Sequence, residues 1–316
     1  MIRVWRLTAA VCCAGAISAQ QPVNLAPRFE PGQTLRYAFD FRVETRGTST
    51  GDIEDSAAAR GREIQLQGVV RLEVLRVLPA SSGGGLASAR LRATYESLAM
   101  AVRADVPDPQ LAETEAQMKR IEGRSFEYTL AGDGAISDLA GLEDFSAEQR
   151  TALTQALAQI SLGKNLPPRE VAPGATWRTE PVSPSGAPLL GYAWQTVSTY
   201  LRNEPCKAAA TEANASPPTE LCAVILTKGE LLQLTPMKDP TPEEYARNEL
   251  RTSGKMSGAM ERLLYVSLAT GRVVSVTQNG AESSDIAITN RQGELRMRYA
   301  GSLASKSQIT LLGMKK

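Results

Sequence analysis

Leu35-Arg36-Tyr37-Ala38-Phe39-Asp40-Phe41-Arg42-Val43-Glu44-Thr45 alternates apolar and polar side chains at every step. Leu35, Tyr37, Phe39, Phe41 and Val43 share one face, while Arg36, Asp40, Arg42 and Glu44 share the other. A period of two with charges on one side describes an antiparallel strand that is wet on one face and buried on the other. The same signal recurs downstream. Ile64, Leu66, Val70, Leu72 and Val74 line one face of a predicted strand from Arg62 to Val77. At 3.3 Å per residue such a strand would reach roughly 50 Å if straight, so it must twist and coil. Gly47 to Gly61, rich in Gly, Ser, Thr and Asp, reads as the loop between these two strands. A turn over Ser81 to Gly85 leads to a third strand, Ala87 to Val102. Further strand patterns cover Tyr192 to Tyr200 and Ala223 to Leu234. Leu295, Met297 and Tyr299 alternate with Glu294, Arg296 and Arg298, and Ser307 to Leu312 reads as a closing strand.

Three segments break this period. Asp108 and Pro109 open a helical pattern ending at Ile121 before Gly123, with Leu111, Met118 and Ile121 as a sparse apolar face. Ser146 and Gln149 form a capping box for a helix to Leu162, whose Leu153, Leu157 and Ile160 share a face. A shorter helix is predicted to start at Thr241, with Pro242 first and Glu244 third. The fold class expected is mainly β (α+β): a large curved antiparallel sheet or half-barrel with two or three covering helices.

The N-terminus has the order of an export signal. Arg3 and Arg6 precede a short uncharged run, Leu7 to Ile17, and then the small residues Ser18 and Ala19. Residues 1–19 are therefore expected to be a signal peptide, with cleavage after Ala19 or Ser18. Cys12 and Cys13 come too early in the run for lipoprotein processing. The expected protein is periplasmic or extracellular and soluble after cleavage, with no later segment of transmembrane-helix length. Of 35 Lys and Arg against 34 Asp and Glu, removing Arg3 and Arg6 leaves 33 against 34. A near-neutral chain without a polybasic patch does not suit nucleic acid. Histidine is absent, which removes Ser-His-Asp and Cys-His nucleophile pairs, His-ligated metals and the usual neutral-pH general base. After cleavage Cys206 and Cys222 remain, flanking 15 residues between two strand patterns. One disulfide across the base of a hairpin loop is expected. A reactive thiol is the weaker reading, since no Cys-x-x-Cys spacing or activating His is present.

A weak repeat crosses the middle of the chain. Pro31-Gly32-Gln33-Thr34-Leu35-Arg36 is echoed by Pro173-Gly174-Ala175-Thr176-Trp177-Arg178, and the stretch Tyr128 to Ser137 by Val266 to Ser275. Read as real, it divides the chain into similar halves, 29–165 and 166–316. Read as generic turn-into-strand signals, it leaves one β-rich domain, 20–316. Three stretches carry a wider likeness: Met118 to Leu139, Leu166 to Trp177 with its Pro-Gly turn, and Leu263 to Val276 turning at Thr270-Gly271. With them the chain resembles uncharacterised secreted bacterial β proteins and, more distantly, the half-barrel of lipoprotein carriers of the LolA and LppX type. The resemblance implies a curved sheet with helices over its concave face, where carriers hold acyl chains. It carries over no catalytic residue.

Candidate chemistry weighs less. Asp133, Asp138, Glu143 and Asp144 lack calcium-loop spacing and read as a solvated turn and helix N-terminal acids. Glu113 with Glu115, and Glu243 with Glu244, are adjacent pairs that do not face each other across a cleft. Gly83-Gly84-Gly85 lacks the helix and Lys of a phosphate loop. Trp177, Trp194 and Tyr192 suit core anchoring better than sugar stacking, and Asn214-Ala215-Ser216 is a short sequon on the disulfide loop. The expected function is that of a non-enzymatic exported envelope protein binding a hydrophobic small molecule or lipid, with no cofactor, catalytic residue or metal. Its expected slot is lined by Phe39, Phe41, Leu66, Val70, Leu72, Leu91 and Tyr95, with Leu153 and Leu157 above. The competing expectation for these side chains is a closed core. A structural subunit of an envelope assembly, or a carboxylate-dependent hydrolase, are the alternative functions.

Overall fold

The computed structural model describes residues 21–316 apart from 52–59, 80–86, 106–115, 117, 133, 146–149, 151–152, 155–156, 158–159, 161–166, 168–169, 185, 207–219 and 316. The signal-peptide segment thus lies outside the described residues, as do the Ser81 to Gly85 turn, Asn214, Glu113 and Glu115.

The alternating stretches become eleven strands. They are β1 (Thr34–Gly51), β2 (Arg60–Leu78), β3 (Ser88–Ala104), β4 (Ser125–Leu130), β5 (Ile136–Ala140), β6 (Thr176–Arg178), β7 (Tyr192–Pro205), β8 (Leu221–Gln233), β9 (Leu250–Ser267), β10 (Val273–Asn290) and β11 (Leu295–Lys315). They form one antiparallel sheet in the order β5-β4-β3-β2-β1-β11-β10-β9-β8-β7-β6. Neighbours in the chain pair, apart from β5 and β6, and the first and last strands, β1 and β11, pair along the whole of β1. The sheet is open, with β5 and β6 as its two edges. The boundary between the two predicted halves falls in the interval between those edges.

Two expectations change. Gly47 to Gly51 is not loop but the end of β1, paired from Gly47↔Gly301 to Gly51↔Met297. Composition signals turn locally, whereas the hydrogen bonds holding this stretch come from a strand some 250 residues away, outside any sequence window. The two or three covering helices are likewise not found as a layer. Among the described residues, the one helix with defined ends is α1 (Glu243–Arg247), the short helix expected near Thr241. Of the other two, much lies outside the described residues. Leu153, Leu157 and Ile160 are nonetheless buried in the main core.

That core explains the curl of the sheet. Inward side chains of β1–β4 and β7–β11 meet in a single cluster, including Tyr37, Val70, Leu91, Tyr128, Tyr200, Ile225, Leu264 and Ile309. One face of an open sheet can reach itself this way only by wrapping round. The N-terminal segment closes the end of the core. Val23 and Val171 exchange backbone hydrogen bonds at 2.8 and 3.0 Å, Leu25 is buried, and the Arg28 N–H donates to Thr270 O at 2.8 Å. A smaller cluster of Leu189, Tyr192, Leu231, Ile286 and Ile288 packs with Trp194 and with Tyr245 of α1 at the far end of the sheet. The outward face is charged. Arg36, Arg71, Arg92 and Arg90 alternate with Glu96, Glu73 and Glu127 in a continuous ladder of ion pairs across β1 to β4. Cys206 and Cys222 are bonded to each other with Cα atoms 4.9 Å apart, joining the ends of β7 and β8 as expected. The bond packs with Val224, Tyr265 and Val274.

Candidate functional site

Cross-strand register arranges the inner face as rows, each one residue deep, running across the sheet. A core row joins Phe39 to Ile309, Val276, Leu264, Ile225 and Tyr200, all buried. The next row divides into two halves. On β3, β2 and β1 it presents Met100, Leu66 and Phe41; on β11, β10 and β9 it presents Ser307, Gln278 and Arg262. The third row has Val102, Ile64 and Val43 on one side and Ser305, Gly280 and Met260 on the other. The fourth runs Ala104, Arg62, Thr45, Leu303, Glu282. Beyond the packed core, the inner face therefore carries two adjacent apolar rows on β1–β3, and the row through Phe41 has a polar side on β9–β11.

The nine side chains expected to line a slot are brought together in or against one cluster. Phe39, Val70, Leu72, Leu91, Tyr95, Leu153 and Leu157 are buried within it, whereas Phe41 and Leu66 are half-buried at its margin. The cavity beside Leu72, Leu91, Tyr37 and Ile160 measures about 20 Å³. That is room for about one water, against some 300 Å³ or more for a small-molecule site. The half-buried apolar rows outside the core are the open part of this face. Val43, Ile64, Met100 and Val102 belong to it and were not among the nine expected slot residues, although the alternation placed Val43 and Ile64 on the apolar faces of their strands.

The polar side has unusual electrostatics. Burial pushes the Arg262 guanidinium down to about 10, and its Nε donates to Gln278 Oε1 at 2.7 Å. Among the described residues no carboxylate pairs with it. Ser307 is 9% exposed and its Oγ has no hydrogen-bond partner. Farther along the row, the Ser198 and Thr227 hydroxyls satisfy each other at 2.8 Å. Glu282 is the one described carboxyl held above its ordinary range, with burial as the cause. Arg62 Nε, in the same row as Glu282, also lacks a partner. Burial raises the Tyr37 and Tyr95 phenols, and the Tyr37 hydroxyl donates to Val273 O at 3.1 Å.

Other candidates are not assembled into a site. Trp177 packs on the main core, whereas Trp194 and Tyr192 belong to the far cluster, so the three aromatics make no common platform. Glu243 and Glu244 are exposed on α1, and Glu243 is engaged by Arg247 at 2.7 Å. Asp138, Glu143 and Asp144 are exposed.

No protein-family model matches the chain, and no curated protein matches it. Among solved structures, DynF from the dynemicin biosynthesis pathway of Micromonospora chersina aligns at 8% identity over 96% of this chain and 92% of its own, with a TM-score of 0.15. An outer membrane channel from Pseudomonas putida F1 aligns at 7% identity over 90% of this chain and 97% of its own, with a TM-score of 0.19. Likenesses this slight carry no argument about fold or function.

Proposed function

We propose that this chain is a non-enzymatic exported envelope protein that holds an apolar ligand, such as a lipid acyl chain, on the open inner face of its sheet. One observation carries the reading: two adjacent rows, Phe41-Leu66-Met100 and Val43-Ile64-Val102, continue the core outward as half-buried apolar surface. Apolar burial contributes about 25 cal/mol per Å², so a chain lying on both rows binds without any charged contact. The ligand lies on Phe41 and Leu66 rather than beside Leu72 and Leu91, where the space is water-sized.

Titration of the mature protein with a fluorescent fatty acid tests this. Ile64→Lys is expected to weaken uptake at least tenfold while the melting temperature changes little, because the site is half-buried. Leu157→Trp, inside the closed core, is expected to cost roughly 1–3 kcal/mol of stability and leave affinity unchanged. No uptake by the parent protein, or undiminished uptake by Ile64→Lys, overturns the reading.

A second reading, as a subunit of an envelope assembly, is favoured by the exposed apolar side chains Val197, Leu201 and Leu232 on β7 and β8, with Val182, Leu234 and Met237 beside them. Under it, Val197→Lys with Leu232→Lys shifts the sedimentation coefficient of the native assembly; an unchanged value counts against it.

A further inference from the structure

We propose that the inner face binds the carboxylate of a long-chain amphiphile, with Arg262, Gln278 and Ser307 as the head-group site and Phe41, Leu66 and Met100 as the bed for its apolar part. This rests on the reading above and names its ligand class. All six residues belong to one cross-strand row: Arg262 faces Gln278, Gln278 faces Ser307, Ser307 faces Phe41, Phe41 faces Leu66, and Leu66 faces Met100. Five strand spacings at 4.7–4.9 Å put the ends of the row roughly 24 Å apart along the sheet, which suits a long chain rather than a short one.

Two independent deficits mark the polar half. Arg262 is a desolvated cation whose Nε serves Gln278 and which no described carboxylate neutralises. A guanidinium has five N–H donors, and a half-buried, desolvated charge without a counter-ion is destabilising. Ser307 Oγ, two strands away in the same row, is buried with no partner, although buried polar atoms are nearly always satisfied. A group that only accepts hydrogen bonds, carries one negative charge and offers two oxygens answers both deficits, and a carboxylate is that group. A phosphomonoester would leave excess negative charge in a desolvated place opposite a single cation. The other charged groups of the described strands on this face lie in further rows: Arg62 and Arg60, three strands from Gln278 on β2, and Glu282, four residues along β10 from Gln278.

The test compares cis-parinaric acid with its methyl ester, binding each to the full mature chain. The acid is expected to bind at least tenfold more tightly than the ester. Arg262→Gln should abolish that preference while retaining ester binding, and Ser307→Ala, which leaves the cation in place, should reduce it severalfold. Melting curves of both variants confirm that they are folded. Equal affinity for acid and ester overturns the head-group assignment and leaves the apolar reading standing, as does a preference lost in Arg62→Gln but kept in Arg262→Gln. If neither probe binds, the apolar reading falls and this inference with it.

Discussion

Gly271 turns the β9–β10 hairpin at φ +64°, and a Cβ there would come 2.0 Å from Ala26 O of the N-terminal segment. Gly271→Ala therefore adds left-handed backbone strain to a clash with main chain that is itself hydrogen-bonded. We expect a loss of about 1–3 kcal/mol in denaturant unfolding, since strained positions of this kind cost that much. Cys206→Ser opens a 15-residue loop. The chain-entropy argument gives about 3 kcal/mol, so the variant is expected to stay folded with a lower midpoint, and native protein should show no free thiol on titration. Glu282 makes a pH-dependent case. Burial favours its neutral form, so its folded pKa lies above the ordinary 4.5. The associated stability is present in full below the unfolded pKa and is lost as pH rises through the folded one. Glu282→Gln is expected to raise the melting temperature at pH 7 and to flatten the decline that the parent shows above pH 4.5; a variant less stable than the parent at pH 7 would contradict this.

Within β4, neighbouring side chains face opposite sides of the sheet. Tyr128 is fully buried in the main core, whereas Glu127 sits on the charged outer face between Arg90 and Arg92. The hydrogen bond from Arg92 holds Glu127 below the usual carboxylate range, but the group is open to water and screened. Glu127→Gln is therefore expected to cost under about 1 kcal/mol, and less in high salt. Tyr128→Ala, one residue along, is expected to cost roughly 3–5 kcal/mol, as truncations of buried aromatics do. Chemical denaturation of the two variants at low and high salt measures the contrast. Similar costs would mean that the two faces of β4 are misassigned.

The whole molecule is held by its least local contact. β1 and β11 join strands from opposite ends of the chain, and Ile309 sits fully buried on that seam. Closing so long a loop before any contact rewards it makes folding slow, in the millisecond-to-second range typical of non-local β topologies or beyond. One core draws on strands from both sides of residue 165. Unfolding is accordingly expected as one cooperative calorimetric transition, with Ile309→Ala lowering it by about 2–5 kcal/mol. Two separable transitions, or a folded fragment spanning 20–165, would show that the halves are independent.

Alternation is a local property, and so Leu35 to Thr45 could be read as a half-buried strand from its own residues. The pairing of Cys206 with Cys222, and the shared apolar face of Leu153 and Leu157, were equally within reach of sequence. What no window contains is which strand lies beside which. Gly47 to Gly51 looks like loop until β11 pairs with it. Ser307, Gln278 and Arg262 are unremarkable serine, glutamine and arginine until register sets them in one row beside Phe41. Period-two patterning determines which face a side chain takes, because the pleat does so residue by residue. Strand order and register decide what it meets there, because those depend on hydrogen bonds and packing between segments hundreds of residues apart.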